Sequence, residues 1–402
     1  MKISVIRFIC ALCCFPLVLN AQEIRLLFAG DAMQHQKQID NAFRNGAYDY
    51  SSYFKYVKDE ISSADLAVVN LEGPLGGKPY KGYPQFSLPD AFAAALKEAG
   101  FAVFLTANNH AVDCYSQGIN RTIDVLDSLG VYHTGTFKND SERKQNYPLI
   151  VEKKGIRMAF LNYTYDTNGI DPEAPCIVNG IDTALIKKDI TKALRTNPDI
   201  VIAVMHWGQE YRLNPSKSQE QLARFLINQG VDLIIGSHPH VVEPSQMVTD
   251  PILKSTCLVV YSLGNFVSGM SAPNTDGGQM ISVTLEKAAG RTRIKACGDL
   301  LVYVQQKKVN DKIDFTLIPV SKACRPAHDA ESPGIDRIQL DSLTYEKMMH
   351  FANNARGLFR QYNIGVEEYN FGNKKPEADE LLKFIPLKFD FWKQMCTFAP
   401  QK

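Results

Sequence analysis

Residues that can bind metal ions recur at the ends of apolar runs in this 402-residue chain. They are Asp31 after "LLFAG", Asn70 and Glu72 in "LAVVNLE", Asn108, Asn109 and His110 in "FLTANNH", His206 in "VIAVMH", and His238 and His240 in "LIIGSHPH". Carboxylate and amide oxygens are hard ligands, and neutral imidazoles supply nitrogen ligands for Zn, Mn or Fe. A carboxylate between two such ions can bridge them, the ions can activate water against a phosphoryl group, and an unligated histidine can protonate the leaving group. The residue types therefore predict metal-dependent hydrolytic chemistry.

Each of these residues also has an ordinary structural role when it is taken alone. Asp and Asn often cap helices or form turns because they hydrogen-bond nearby backbone amides. A single buried histidine such as His206 is more often hydrogen-bonded than metal-bound, and His238 with His240 alone would be a polar loop. The recurrence of such residues at the ends of successive apolar runs is what favours a shared site.

The runs that must position these residues alternate with amphipathic helical stretches from residue 24 to about 267, which is the pattern of an α/β sheet. Predicted strands cover 24–30, 65–72, 101–107, 157–163, 199–206, 231–237 and 256–265, and predicted helices cover 54–62, 90–99, 119–129, 182–195 and 216–229. In open α/β sheets, ligands bind beyond the carboxyl ends of the strands, so residues far apart in sequence can converge there.

The pattern changes after residue 278. Three apolar runs, 278–287, 293–308 and 311–320, are joined by short turns without helices, which indicates antiparallel strands. A polar linker then leads to a predicted helix at 343–362, in which Met348, Phe351, Ala355, Leu358 and Tyr362 share one face. We expect a main domain over 22–320 and a linker with a helical extension over 321–402 that packs on it. A helix on a membrane surface is the alternative, and its weakly basic opposite face disfavours that alternative.

The N-terminus has the features of a secretory signal peptide. Lys2 and Arg7 precede an apolar run from Phe8 to Leu19, which is too short to span a bilayer, and Asn20-Ala21 follows. We expect cleavage after Ala21 and an exported protein, periplasmic or otherwise in the cell envelope or secreted. A lipoprotein-type anchor on Cys13 or Cys14 is disfavoured, because neither cysteine has a small residue immediately before it.

Composition narrows the function further. Loss of residues 1–21 changes the formal net charge from +1 to −1, so the mature chain lacks the positive field needed for binding to nucleic acid backbones. Disulfides are permitted outside the cytosol, but the spacings of the six remaining cysteines select no pairing. They are Cys114, Cys176, Cys257, Cys297, Cys324 and Cys396. The absence of a CxxC motif argues against a thiolate zinc site.

Six motifs, in order and spacing, resemble those of a known family. They are "AGDAM", "NLEGPL", "TANNHAVD", "HWGQEY", "GSHPHVVEP" and "YSLGNF". Together they are similar to the CapA-like poly-gamma-glutamate capsule-synthesis family of the calcineurin-like metallophosphatase superfamily, over about residues 25–270. The resemblance implies an α/β fold in which a double β-sheet sandwich is flanked by helices (α/β/β/α), with the metal site on loops at one end.

The resemblance also implies roles for individual residues. Asp31 and His240 correspond to ligands of a first metal ion, and Glu72 stands where a bridging aspartate is usual. Asn109, His206 and His238 correspond to ligands of a second ion. His110 matches the histidine that assists the leaving group, and a helix cap or a more distant hydrogen bond is its alternative role.

The first motif departs from the phosphatase pattern, because Met33 stands where Asp-x-His would place an imidazole. A thioether is a poor ligand for a hard ion, so we expect one ion held firmly near Asn109, His206 and His238, and a second held more weakly. His35 would replace the missing imidazole only if its turn aimed it inward. Tyr115 also occupies a place where the family often has glycine, which leaves the shape of that loop open.

Other motif residues are candidates for contact with substrate. They are Asn70, Asn108, Trp207, Glu210, Tyr211 and Asn265; core packing is the alternative for Trp207 and a solvated charge is the alternative for Glu210. The leading hypothesis is an exported metal-dependent hydrolase that acts on a phosphoester or an anionic cell-envelope polymer such as poly-gamma-glutamate. The competing hypothesis is a capsule-associated protein that binds or tethers polymer without catalysis. The missing imidazole favours the second hypothesis, and His110 favours the first.

Overall fold

The computed structural model of the chain describes residues 21–249, 256–309, 312–324 and 338–369. Residues 1–20 of the predicted signal peptide lie outside the described residues, as do Cys396 and much of the predicted linker and tail. In the described segments, no helix combines the length and apolarity that crossing a membrane requires. Cys114, Cys176, Cys257 and Cys297 carry free thiols, so no disulfide joins any two of these four residues.

The strands of the described part follow one another in this order: β1 Gln22–Ala32, β2 Phe43–Arg44, β3 Ala47–Tyr48, β4 Leu66–Leu71, β5 Phe101–Leu105, β6 Tyr132–Thr134, β7 Thr136–Phe137, β8 Leu149–Lys153, β9 Ile156–Thr164, β10 Ile177–Val178, β11 Ile200–His206, β12 Leu233–Ser237, β13 Ser245–Thr249, β14 Thr256–Val260, β15 Asn265–Val267, β16 Gly277–Ala288, β17 Arg291–Val309, β18 Lys312–Pro319, β19 Ala323–Cys324 and β20 Ile338–Gln339. The helices are α1 Gln36–Ala42, α2 Ser51–Phe54, α3 Lys58–Ser62, α4 Asp90–Ala99, α5 Tyr115–Leu129, α6 Asp140–Asn146, α7 Thr183–Arg195, α8 Lys217–Asn228 and α9 Ser342–Tyr362.

The first large sheet has the order β18-β17-β16-β1-β4-β5-β6, and β15 also pairs with β1. Strands β1, β4, β5 and β6 are parallel to one another. Strands β16, β17 and β18 continue the sheet on the other side of β1 as an antiparallel meander, which confirms the change of pattern expected after residue 278.

The second sheet has the order β13-β14-β12-β11-β9-β8. Its four central strands are parallel, and β13 and β8 are antiparallel strands at its two edges. The carboxyl ends of β9, β11 and β12 therefore meet at one edge of the sheet, where the sequence places His206, His238 and His240.

The two sheets pack face to face because their central strands are apolar on both faces. Leu26 of β1 and Ile202 of β11 lie in the core between the sheets. Their neighbours Leu27 and Val201 point the opposite way, into separate cores that contain side chains of α4 and of α7, respectively. Helices thus cover the outer face of each sheet, and the predicted α/β/β/α sandwich is confirmed.

The C-terminal helix is present as predicted. Met348 and Phe351 of α9 share a core with Leu301 and Tyr303 of β17, so the helix packs against the first sheet. Tyr362, at the end of α9, is exposed and does not belong to the buried face that the sequence predicted for it.

Two predicted elements are wrong in their extent. The predicted helix 54–62 is two short helices, α2 and α3, because residues 55–57 form a turn between them. The predicted strand 256–265 is divided between the sheets, with β14 in the second sheet and β15 in the first. The chain crosses from one sheet to the other at Gly264, whose φ of +67° lies in the left-handed region that favours glycine.

Candidate metal centre

Ligand candidates from both sheets meet at one end of the sandwich. Asp31 lies in β1, Glu72 follows β4, and Asn109 lies in the turn after β5, so these three residues come from the first sheet. His206 ends β11, and His238 and His240 follow β12, so the three imidazoles come from the second sheet. All six side chains are buried.

Asp31 is held by hydrogen bonds from several directions. Its Oδ1 accepts from the Asn70 amide at 2.8 Å, and its Oδ2 accepts from the His238 backbone N–H at 3.2 Å. The Nδ1 atom of His240 lies 3.3 Å from the same Oδ2. Burial alone would raise the pKa of Asp31, but the hydrogen bond and charge of His240 outweigh burial and hold the pKa well below its usual range. Asp31 is therefore a carboxylate at neutral pH.

Asn265 and Asp31 together orient the His240 ring. Besides its contact with Asp31, His240 Nδ1 lies 3.1 Å from Asn265 Oδ1. These contacts leave Nε2 facing Glu72 Oε1 at 3.8 Å. A ring whose other nitrogen is fixed by a carboxylate or amide oxygen is the usual arrangement of a metal-binding histidine.

Glu72 is the most unusual group in the centre, because no N–H or O–H group of the described residues donates a hydrogen bond to either of its buried carboxylate oxygens. Its Oε1 also lies 3.7 Å from His206 Nε2. Burial, and next the negative charge of Asp31, raises the pKa of Glu72 well above its usual value. A buried carboxylate without partners is costly unless a positive charge compensates it. The Glu72 side chain therefore fits a cation ligand.

His206 and His238 are neutral, as metal ligands must be. Burial, and next the proximity of His238, lowers the pKa of His206 well below its usual value. Burial, and next His240, lowers the pKa of His238 to about 3. His206 Nε2 lies 2.9 Å from Asn109 Oδ1, while the buried Nδ1 of His238 has no hydrogen-bond partner among the described residues. His238 Nδ1 is thus available as a ligand atom, as the Glu72 oxygens are.

Two sets of residues place one ligand atom each within 4.8 Å of one another. They are Asp31, Glu72 and His206, and Glu72, His238 and His240. Glu72 belongs to both sets, which is the position of a bridging ligand. The division of the other ligands between two ions stays a prediction.

The two histidines of "GSHPH" have unusual backbones. His238 has a φ of +102° and His240 a φ of +59°, both in the region that side chains with a Cβ rarely adopt. Such conformations cost on the order of 1–3 kcal/mol each and concentrate at functional sites. The strain places both imidazoles at the centre.

His110 lies at the centre but in neither set of ligand candidates. Its Nδ1 is 2.8 Å from Asp113 Oδ2, and the amide of Asn168 approaches the same nitrogen at 3.4 Å. The ring packs edge-on against Phe86 with the centroids 4.6 Å apart. This arrangement fixes the ring through one nitrogen and leaves the other for chemistry.

Three of the residues predicted to contact substrate hydrogen-bond to ligand candidates or to His110, and their contact with substrate stays a prediction. The Asn70 amide lies between Asp31 and His206, 3.4 Å from His206 Nδ1. Asn108 accepts the His110 N–H at 3.1 Å and donates to the Leu71 carbonyl at 2.8 Å. Asn265 holds His240, as described above. The three amides act on the positions of ligands and of His110.

The structure does not place Trp207 at the rim. Its indole is buried, donates to the Tyr261 carbonyl at 2.9 Å, and lies in the core between the second sheet and its helices. Glu210 and Tyr211 are exposed, and the Tyr211 ring lies 6.4 Å from the His240 ring; contact of these two residues with substrate stays a prediction.

Sequence reasoning missed two residues of the centre. Asp113 had no assigned role, although an acid three positions after His110 at the start of a helix is a recognisable signal. Tyr165 follows β9 just as the ligand candidates follow their strands, and its ring lies 4.5 Å from that of His238.

The structure also shows where the residues that depart from the phosphatase pattern lie. Met33 is buried among the apolar side chains beneath the first sheet. His35 accepts the Gly269 N–H at its Nδ1 and belongs to neither ligand set. Tyr115 has a φ of +55°, so it adopts the left-handed conformation for which glycine is favoured.

The profile of the family described as "Bacterial capsule synthesis protein PGA_cap" matches residues 25–270. The chain belongs to this family. Among PGA_cap relatives, the chain is 30% identical over 271 residues to the PGA biosynthesis protein CapA of Bacillus subtilis, covering 65% of this chain and 67% of the relative. It is 29% identical over 260 residues to the capsule biosynthesis protein CapA of Bacillus anthracis, covering 61% of this chain and 60% of that relative.

Two solved structures share a more distant similarity with this PGA_cap chain. One is the NAD nucleotidase of Haemophilus influenzae, with a TM-score of 0.46 and 13% identity over 94% of this chain and 68% of that one. The other is the calcineurin-like phosphoesterase YfkN of Bacillus subtilis, with a TM-score of 0.45 and 13% identity over 85% of this chain and 99% of that one.

Proposed function

We propose that this PGA_cap chain is an exported, metal-dependent hydrolase that cleaves a phosphoester or amide bond during synthesis or processing of an anionic cell-envelope polymer. One observation carries the proposal: in the described part of the chain, the buried Glu72 carboxylate accepts no hydrogen bond and faces His206 and His240. The chemistry of this donor set fits a divalent cation. The signal-peptide pattern at residues 1–21 supports export, and the CapA relatives support a polymer-related role.

Asp31, Glu72, Asn109, His206, His238 and His240 would hold the metal. Their mixture of oxygen and nitrogen donors suits Mn, Zn or Fe. When bound, divalent ions would polarise the scissile bond and lower the pKa of water at the site. Because Met33 supplies no imidazole, we propose one firmly held ion near His206 and His238 and a second, weaker one near Asp31.

The chain's own residues would handle the proton. His110 is fixed at Nδ1 by Asp113, so its Nε2 is the atom that would donate a proton to the leaving group. Asn168 and the Phe86 ring limit rotation of the imidazole. Asn70 and Asn265 keep the ligand side chains in position while the substrate binds.

Met33 gives the binding hypothesis a specific basis, because a weakly held first ion would suffice to tether an anionic polymer without turnover. Metal analysis of the purified mature protein, combined with a hydrolysis screen over phosphomonoesters, phosphodiesters and poly-gamma-glutamate, separates the two functions. The enzyme should bind metal and turn over one of these classes. Metal without turnover of any of them would support the binding protein.

A matched pair of variants locates the site within the same experiment. Glu72→Gln removes the charge that faces the imidazoles and should lose metal and turnover together. Glu243→Gln changes another fully buried carboxylate, which accepts a hydrogen bond from Gln219 and belongs to neither ligand set, and should keep both. Equal metal content in the two variants would contradict the proposed centre.

A further inference from the structure

Three exposed tyrosines lie around the candidate metal centre: Tyr165 and Tyr211 beside histidines, and Tyr83 beside Phe86, which itself contacts His110. The Tyr165 ring lies 4.5 Å from that of His238, and the Tyr211 ring lies 6.4 Å from that of His240. Tyr83 packs against Phe86 at 6.3 Å, and Phe86 contacts His110. Their exposed fractions are 44% for Tyr165, 48% for Tyr211 and 72% for Tyr83, so each ring offers surface to a ligand.

The backbone beneath these three rings is fixed. The Tyr165 N–H donates to the His206 carbonyl at 3.0 Å, and the Tyr211 N–H donates to the Pro239 carbonyl at 2.9 Å. Tyr83 lies in a short hairpin closed by two hydrogen bonds between Lys81 and Ser87. Tyrosine also has few rotatable bonds, so such rings bind ligands with little loss of conformational entropy.

Acidic side chains lie beside Tyr165 and Tyr211, whereas the exposed cations Lys81 and Arg212 lie near Tyr83 and Tyr211 in the sequence. After burial, the groups that raise the pKa of Tyr165 most are Glu210 and Asp166, and Glu210 does the same for Tyr211. Both acids are exposed. An extended polyanion lying across Tyr165 and Tyr211 would meet the charge of Glu210, whereas an anionic group at the metal centre would be attracted. A ligand that satisfies both conditions carries its anion at one end and is neutral where it meets the tyrosines.

We propose that Tyr165, Tyr211 and Tyr83 bind a neutral ring next to the anionic group of the substrate, so that the substrate class is a ring-bearing phosphate ester such as a hexose phosphate. Apolar ring faces stack on aromatic side chains, and the tyrosine hydroxyls can bond polar substituents at the ring edge. This inference rests on the proposed function and names the substrate class of the same site.

Binding of non-hydrolysable phosphonates to the metal-loaded protein tests the inference by calorimetry. The probes are analogues of a hexose phosphate, a nucleoside monophosphate and glycerol phosphate, with inorganic phosphate as the reference. Stacking of one ring typically contributes enough to tighten binding roughly three- to tenfold, so at least one ring analogue should bind that much tighter than the glycerol analogue. The tighter of the two ring analogues identifies the kind of ring.

Substitutions test whether the tyrosines cause the preference for ring analogues over the glycerol analogue. Tyr165→Leu and Tyr211→Leu should reduce it, and Tyr165→Phe and Tyr211→Phe should restore most of it because the ring remains. Tyr132→Leu, at a 47% exposed tyrosine that begins β6, should leave it unchanged. Equal affinity for ring and acyclic analogues, or full preference in both Leu variants, would overturn the inference alone. Failure of the metal-loaded protein to bind phosphate or any phosphonate would overturn this inference and the phosphoester form of the proposed function, whereas loss of metal binding itself would overturn the proposed function as a whole.

Discussion

The Asp113 carboxylate lies 2.8 Å from His110 Nδ1, and the same oxygen accepts the Phe86 N–H at 2.7 Å. One carboxylate therefore positions both the imidazole and the aromatic ring that packs against it. Neither residue belongs to the ligand sets around Glu72. The centre thus contains histidines that are ligand candidates and one, His110, that is not. Substitutions should distinguish the two roles.

His206→Ala and His238→Ala should each lower the amount of bound metal, because each variant loses a nitrogen donor. His110→Ala should keep metal near the wild-type level and lower turnover by about 10²–10⁴-fold, the usual contribution of a positioned acid or base. Metal analysis and steady-state kinetics on the same preparations measure both quantities. Metal loss in His110→Ala equal to that in His206→Ala would show that His110 is a ligand.

Asp113→Asn tests the positioning of His110. The amide keeps an oxygen that can accept the Phe86 N–H, but it removes the charge that faces the imidazole. We expect kcat to fall with little change in KM or in bound metal, and by less than in His110→Ala. A rise in KM with kcat unchanged would instead mean that Asp113 shapes the binding surface.

Glu72→Gln should change stability in a metal-dependent way. With free metal at about 100 times Kd, a cation that binds only the folded state stabilises it by about 2.7 kcal/mol. Added metal should therefore raise the midpoint of thermal unfolding of the wild type. It should raise the midpoint of the variant only a little. Without metal, the variant should be at least as stable as the wild type, because an amide is less costly to bury than an unpartnered carboxylate. Strong destabilisation of the metal-free variant would mean that Glu72 stabilises the fold through contacts within the protein.

The convergence of ligands was predictable because it follows from strand direction. The apolar runs that end in Asp31, His206 and His238 are buried on both faces, so their strands are parallel and central. The burial of Trp207 could also be predicted from the sequence. Val201, Ala203 and Met205 alternate onto the helix-covered face of β11, and Trp207 continues that alternation beyond the strand.

Other features depend on contacts that sequence does not encode locally. Gly264 moves the chain between sheets and brings Asn265 opposite Asp31, and no periodicity signals such a crossing. The pairing of Asn265 with His240 follows from that crossing. The contact of Tyr165 with His238 likewise depends on the relative position of β9 and β12, which β11 separates in the second sheet.

Asp299 should make stability depend on pH. It is fully buried, and burial, followed by repulsion from Glu368, raises its pKa from 3.8 to about 7. The folded state then holds a proton that the unfolded state releases between these two pH values. Stability should therefore fall as pH rises from about 4 to 7, by up to about 1.4 kcal/mol per pH unit, and level off above.

Chemical denaturation of Asp299→Asn at several pH values isolates this contribution. The difference in unfolding free energy between the variant and the wild type should grow as pH rises through that window. Asp40→Asn, at an exposed position in α1, serves as the control and should show no such trend. A constant difference for Asp299→Asn would mean that the carboxyl group keeps the same charge in both states.

Export predicts a specific mature N-terminus. If the apolar run from Phe8 to Leu19 is a signal peptide, the recovered protein should begin near Gln22 and be found outside the cytoplasm. N-terminal sequencing of protein from cell fractions measures both properties. An intact Met1 on cytoplasmic protein would reject export.

The division of ligands between the sheets has a consequence for motion. Apolar contacts between two sheets are non-directional, so they do not by themselves fix which side chains face one another at the ends of the sheets. A shift of one sheet along the other by a single residue, about 3.3 Å, would carry Asp31 and Glu72 away from the imidazoles of His206 and His238. A cation bound by both sets would oppose that shear. With metal bound, we therefore expect the amide hydrogens of the two layers to exchange as one cooperative unit.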